Sequence, residues 1–158
     1  MVTELREISE GRFLAGFSDG SELKFGLNAL TDLSLFQGRE LSRQEYEKLV
    51  SLADLCRCRD RALRIVGARA MSGKELFDRL VQKGESPENA EECVAWLVER
   101  HYLDDARYAE SIVSHYGNRG YGAQRVKQEL YRRGVPRELW EEALDGLEGT
   151  KDKAYDLL

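Results

Sequence analysis

Ser72-Gly73-Lys74-Glu75-Leu76-Phe77-Asp78-Arg79-Leu80-Val81-Gln82-Lys83-Gly84 reads as one amphipathic helix with its own start and stop. Ser72 and Glu75 form a capping box, in which the serine caps the first turn and the glutamate reaches back to it. Leu76 and Leu80 recur at helical spacing, and Gly84 stands where a helix closes in the left-handed conformation that only glycine adopts freely. At a shift of 50, the stretch from Gly122 to Gly134 carries Val126, Leu130 and Gly134 in the same places. The match continues outward: Cys93, Val94 and Leu97 fall on Ala143, Leu144 and Leu147, Glu91 and Glu92 on Glu141 and Glu142, and Arg69 on Arg119. Self-similarity at a fixed period is the signature of a repeat architecture.

Upstream the shift changes to 47, with Ala62 and Ile65 matching Ala109 and Ile112. The loop before the second element is therefore three residues longer in the second copy, where it reads Gly117-Asn118-Arg119-Gly120-Tyr121-Gly122. Each copy predicts three helices, over 57–68, 73–83 and 87–101, then 105–116, 123–133 and 137–147. Ser86-Pro87 and Asp104 supply further helix starts. Residues 151–158 parallel 59–66, so a third copy begins and only its first helix is present.

The N-terminal part has a different period. Phe13, Ala15 and Phe17 alternate on one strand, and Leu23, Phe25 and Leu27 on the next, joined by a Ser18-Asp19-Gly20-Ser21 hairpin. With Val2 to Ile8 they form a small antiparallel meander, which needs a neighbour to cover its apolar face. Residues 28–41 allow a short helix ending near Gly38, and Ser42 with Glu45 opens a linking helix. The fold class is mainly α, with tandem three-helix repeats preceded by a small antiparallel β-meander. The organisation is 1–41 meander and connection, 42–56 linking helix, 57–103 first repeat, 104–148 second repeat and 149–158 incomplete third repeat.

The chain has 158 residues, 42% of them hydrophobic, and a net charge of −5. A domain of that size buries roughly two thirds of its unfolded surface and folds without disulfide staples. The longest apolar run, Cys93 to Val98, is far short of a membrane span. No signal pattern opens the chain, which reads as cytoplasmic, monomeric and away from membranes. Three cysteines and two histidines stand at no zinc-ligand spacing, so neither metal nor cofactor is expected. Enzymatic patterns fail as well. Gly67 to Lys74 has one residue too many for a phosphate loop, and Glu75 stands where magnesium would need a hydroxyl. His101 and His115 lack a nucleophile at a recognisable spacing, and Asp104-Asp105 reads as a helix start. Trp96 and Trp140 lie on apolar stripes and read as core.

Charge is sorted by helix. Segment 119–133 sets Arg119, Arg125, Lys127, Arg132 and Arg133 against Glu129, a net plus four, and segment 57–69 is equally basic. The third helices are acidic, at minus five over 85–99 and minus four over 136–148. A helix-turn-helix reader would lay its third helix along phosphates, where an acidic helix is repelled. On the helical wheel of 123–133, Ala123, Val126 and Leu130 form the core stripe, while Arg125, Lys127, Gln128, Tyr131 and Arg132 fan over the opposite side. Such a face suits an acidic protein surface or a phosphate backbone. The rival assignment is ordinary surface pairing between basic and acidic helices, or Tyr131 as an inter-repeat packing residue.

The ordered set of Ser72-Gly73-Lys74-Glu75-Leu76, Leu80, Lys83-Gly84, Tyr102-Leu103-Asp104-Asp105, Tyr108-Ala109, Gly120, Val126, Glu129-Leu130 and Arg133-Gly134-Val135 resembles the RecX family of bacterial regulators of the RecA recombinase. It spans 57–147, and the N-terminal sheet resembles the extension of longer members. The family usually carries three repeats; this chain carries two and the start of another. The resemblance implies a non-catalytic role: binding in the groove of the RecA nucleoprotein filament and inhibiting its recombinase, ATPase and coprotease activities. The residues expected to bind the partner are Arg119, Arg125, Lys127, Tyr131, Arg132 and Arg133, with Arg69, Lys74, Arg79 and Lys83 from the first repeat. RecA is the expected partner, with at most weak contact to single- or double-stranded DNA. The alternative is a helical DNA-binding or scaffolding protein that uses the same basic helices without RecA.

Overall fold

The computed structural model describes residues 1–146. The incomplete third repeat, Leu147 and the remainder of the chain lie outside the described residues. Two compact units follow one another, Met1–Arg61 and Ala62–Leu158.

In the first unit, β1 (Val2–Ser9), β2 (Arg12–Phe17) and β3 (Glu22–Gly26) form an antiparallel sheet in sequential order. Phe13 pairs with Phe25 and Ala15 with Leu23, so the alternating apolar residues of β2 and β3 share a face. Gly20, at φ +88°, closes the hairpin. The covered face meets α1 (Leu27–Asp32) and the start of α2 (Arg43–Ala68) in a core of Val2, Ala15, Phe17, Phe25, Leu33 and Leu49, among others. The Phe17 and Tyr46 rings meet edge to face at 5.3 Å. Arg12 reaches across to Cys56 and Asp60 on α2, and burial pushes the Cys56 thiol pKa up.

Two expectations are corrected in this unit. Leu27, expected on the sheet face, opens α1 and is 55% exposed, because the chain turns out of the sheet at Gly26. The helices expected over 42–56 and 57–68 are one continuous helix, since neither glycine nor proline interrupts the intervening sequence. Its start is the expected capping box: the Ser42 and Glu45 backbone N–H groups donate to Glu45 Oε1 at 3.0 Å and Ser42 Oγ at 3.1 Å.

The second unit holds the end of α2, then α3 (Gly73–Gln82), α4 (Pro87–Glu99), α5 (Asp105–Asn118), α6 (Ala123–Arg132) and a 3-10 turn (Arg137–Leu139) leading into helix 140–146. The repeat shows in its closing turns. After α3, the N–H groups of Lys83, Gly84 and Glu85 donate to the carbonyls of Arg79, Val81 and Leu80, each at 3.0 Å. After α6, Arg133, Gly134 and Val135 donate to Glu129, Tyr131 and Leu130 at the same 3.0 Å. Leu76, Leu80 and Cys93 are buried, as are their counterparts Val126, Leu130 and Ala143.

Three details differ from expectation. The extra residues of the second copy lengthen α5 to Asn118 rather than its loop, and Gly120, at φ +81°, then turns the chain. The last helix opens with a 3-10 turn behind Pro136 instead of starting at 137. Trp96 and Trp140 are half-buried rather than core. The Trp140 indole N–H donates to the Val135 carbonyl at 2.9 Å, and the guanidiniums of Arg100 and Arg137 lie 5.0 and 5.5 Å over the Trp96 and Trp140 rings.

Candidate partner-binding surface

α6 buries a narrow stripe and exposes the rest. Val126, Glu129 and Leu130 are buried; Ala123, expected on the core stripe, is instead exposed at the open first turn, as are Arg125, Lys127, Tyr131 and Arg132 further along. Tyr131 is 72% exposed, which removes it from inter-repeat packing among the described residues and leaves an aromatic ring open among cations. Gly122 begins the helix without a side-chain cap. Arg119 is exposed just before it, and Arg125 lies over the Tyr121 ring at 5.2 Å. That ring packs in turn on Tyr116 at 5.6 Å, which fixes the start of α6 to the end of α5.

Arg133 occupies different surroundings from its neighbours. Its Nε donates to Glu129 Oε1 at 2.8 Å and its NH1 to the Tyr108 hydroxyl at 3.0 Å. Burial alone would lower its pKa, but these two hydrogen bonds outweigh that and raise it. The same bond from Arg133 holds the Glu129 carboxyl below the usual range. The Arg133 carbonyl accepts from the Ser72 hydroxyl, and the Gly73 N–H donates to Asp105 Oδ1 at 2.9 Å. Burial raises the Asp105 pKa, against the pull of that N–H. The Arg133 side chain therefore serves the inside of the second repeat, while its carbonyl reaches the first.

The remaining expected residues are dispersed. Arg69 is exposed, with its NH2 3.5 Å from Glu75 Oε2. Lys74 is exposed, and its side-chain stem runs past Gly134 so closely that a Cβ there would stand 2.8 Å from it. Arg79 and Lys83 are exposed on and just after α3. The structure thus brings Arg125, Lys127, Tyr131 and Arg132 onto one helix face with Arg119 nearby, and sets Arg69, Lys74 and Arg133 around the seam between the repeats.

The seam residues Ser72, Asp105, Tyr108 and Glu129 went unread in the sequence as partners of one another. One signal was present: Glu129 stands between Val126 and Leu130 on the core stripe, and a buried glutamate requires a cation. A second was Asp105, beside Asp104, which alone suffices as the cap by accepting from the Arg107 N–H at 3.1 Å. Among the described residues no group of histidine, cysteine, aspartate and glutamate is arranged to hold a metal ion, and no helix is long and apolar enough to cross a membrane.

Comparison with known proteins gives a consistent result. Residues 58–97 match the first three-helix domain of RecX, and 104–144 match the second. The Regulatory protein RecX of Cronobacter sakazakii is 40% identical over 94 residues, covering 53% of this chain and 57% of that protein. That of Caldanaerobacter subterraneus subsp. tengcongensis is 30% identical over 133 residues, covering 83% of this chain and 67% of that protein. The chain spans about half the length of the curated relatives it matches over the repeats, with 57% and 51% covered in those from Cronobacter sakazakii and Vibrio cholerae. A crystal structure of regulatory protein RecX has the same fold, with a TM-score of 0.77 at 19% identity over 92% of this chain and 72% of that one.

Proposed function

The chain belongs to the RecX family, and from that premise we propose that it is a negative modulator of RecA that binds the RecA nucleoprotein filament and inhibits its recombinase, ATPase and coprotease activities. The observation that carries this reading is the exposed face of α6, where Arg125, Lys127 and Arg132 surround the open ring of Tyr131. Aromatic and arginine side chains are the usual anchors of protein interfaces, and a cationic rim steers an acidic partner into register. Arg119 extends the same positive field, while Arg69, Lys74, Arg79 and Lys83 add charge from the first repeat.

Bare DNA is the lesser partner. A net charge of −5 and the run of glutamates on α4 oppose the close approach of a duplex, so contact with single- or double-stranded DNA is weak. The protein acts as a cytoplasmic monomer without catalysis of its own. The test is to add the purified chain to RecA filaments preformed on single-stranded DNA and follow ATP hydrolysis. Hydrolysis falls as the chain is added; unchanged hydrolysis at several-fold excess over RecA contradicts the proposal.

A further inference from the structure

Among the described residues of the second unit, three cavities share Arg69, and two of them also share Ala70. One of these two, of about 330 Å³, is lined by Arg69, Ala70, Glu75, Arg132 and Arg133. The other, of about 320 Å³, shares Arg69 and Ala70 and is walled by Met71, His101, Tyr102 and Leu103, among others. The first is cationic, and the second is mixed, its apolar and aromatic wall interrupted by Asp104, Arg107 and Ser111.

The cations of the first cavity outnumber the carboxylates that serve them. Glu75 Oε1 receives the Ser72 N–H at 3.2 Å, and its Oε2 stands 3.5 Å from Arg69 NH2. Glu129 is taken by Arg133 at 2.8 Å and stands 3.7 Å from Arg132. Three guanidiniums thus face two carboxylates. The contacts of Arg69 and Arg132 are also longer than the roughly 2.7–2.9 Å of a well-formed charge-assisted bond. Both side chains are more than half exposed, at 65% and 80%, so an incoming oxyanion can reach them. In the neighbouring cavity Asp104 is committed to its helix cap, so it does not oppose an anion with an idle carboxylate. Tyr102, 62% exposed, presents a ring of the kind on which nucleobases stack. Each cavity falls at the small end of ligand pockets, so the pair accommodates a phosphate on one side and a planar ring on the other.

We propose that the seam between the two repeats binds a nucleotide, its phosphate held by Arg69 and Arg132 and its base lodged beside Tyr102. The phosphate ester is the shared chemistry of a free mononucleotide and of one unit in a single strand. This site does not depend on the RecA proposal and is tested without RecA.

The experiment is calorimetric titration of the full chain with AMP, octathymidylate, inorganic phosphate and adenosine. AMP or octathymidylate binds saturably, inorganic phosphate binds more weakly and adenosine not at all. Arg69→Ala weakens nucleotide binding about tenfold, the loss expected for a hydrogen bond to a charged group. Tyr102→Ala weakens nucleotide binding and leaves inorganic phosphate unchanged, and both variants keep the wild-type melting transition. Octathymidylate binding tighter than AMP and falling with salt assigns the strand as the source; equal affinity assigns the free nucleotide. The absence of saturable binding by either at millimolar concentration, or binding that Arg69→Ala leaves intact, overturns the proposal.

Discussion

α3 and α6 occupy the same place in successive repeats and differ in almost everything that faces outward. Leu76 and Leu80 in one, Val126 and Leu130 in the other, are fully buried, and both helices close on a positive-φ glycine with the same three turn hydrogen bonds. Their starts diverge. At the start of α3, Ser72 and Gly73 are buried, with Ser72 capping the helix and the Gly73 N–H donating to Asp105, because the second repeat packs on them. The first turn of α6 is exposed and has no side-chain cap. Between its ends α3 is neutral, with Lys74 and Arg79 against Glu75 and Asp78, whereas α6 is net plus two. The lesson is a division of labour: the apolar positions are held in common, whereas the start of α3 is engaged at the seam through Ser72, Gly73 and Glu75 and the polar residues Arg125, Lys127 and Arg132 of α6 are exposed.

The largest effects test the shared part. Leu80→Ala and Leu130→Ala each remove a fully buried leucine and should each cost about 2–5 kcal/mol. Denaturant melts of both variants check this; a shift under about 1 kcal/mol for either one breaks the equivalence of the two helices.

The two closing glycines sharpen the comparison at an intermediate level. Alanine in the left-handed region costs roughly 1–2 kcal/mol, which applies to Gly84→Ala and Gly134→Ala alike. At Gly84 a Cβ meets nothing within 4 Å, whereas at Gly134 it stands 2.8 Å from Lys74 Cβ and Cδ. Gly134→Ala should therefore be the more destabilising of the two, and equal melting shifts would show that the seam does not need that close approach.

The smallest effects belong to the carboxylates of the seam, and they have opposite signs. Burial raises the Asp105 pKa, so its ionised form carries a folding cost at neutral pH that vanishes as pH falls below the unfolded value of about 3.9. Asp105→Asn retains an acceptor for the Gly73 N–H and should gain under about 1 kcal/mol at pH 7, with the gain shrinking by pH 4. Glu129 is held low by Arg133, so its stabilisation is present above about pH 4.3 and is lost as pH falls through its lower folded value. Glu129→Gln should lose stability at pH 7 and converge on wild type in acid. Denaturant titrations of both variants at two pH values read these signs directly.

The comparison also explains what the sequence could and could not disclose. Helix starts, stops and apolar spacing are local, so Ser72, Gly84, Gly134 and the leucine ladder were legible from short stretches. The inward role of Arg133 was not, because its partners Tyr108 and Ser72 lie 25 and 61 residues away and meet it only through packing. Arg132, its neighbour, has the same residue type and opposite surroundings. The continuity of α2 was missed because the repeat unit suggested a boundary that nothing in the backbone imposes.

The central claim is that the outward cations of α6 carry the action on RecA, and one measurement addresses it directly: ATP hydrolysis by preformed RecA filaments in the presence of wild type or Arg125→Glu/Arg132→Glu. Both side chains are exposed, so the double variant should keep its stability within about 0.5 kcal/mol per site. Wild type should suppress hydrolysis, and the folded double variant should lose most of that suppression through repulsion from an acidic partner. Suppression by the double variant equal to that of wild type would contradict the claim and place the contact on another face.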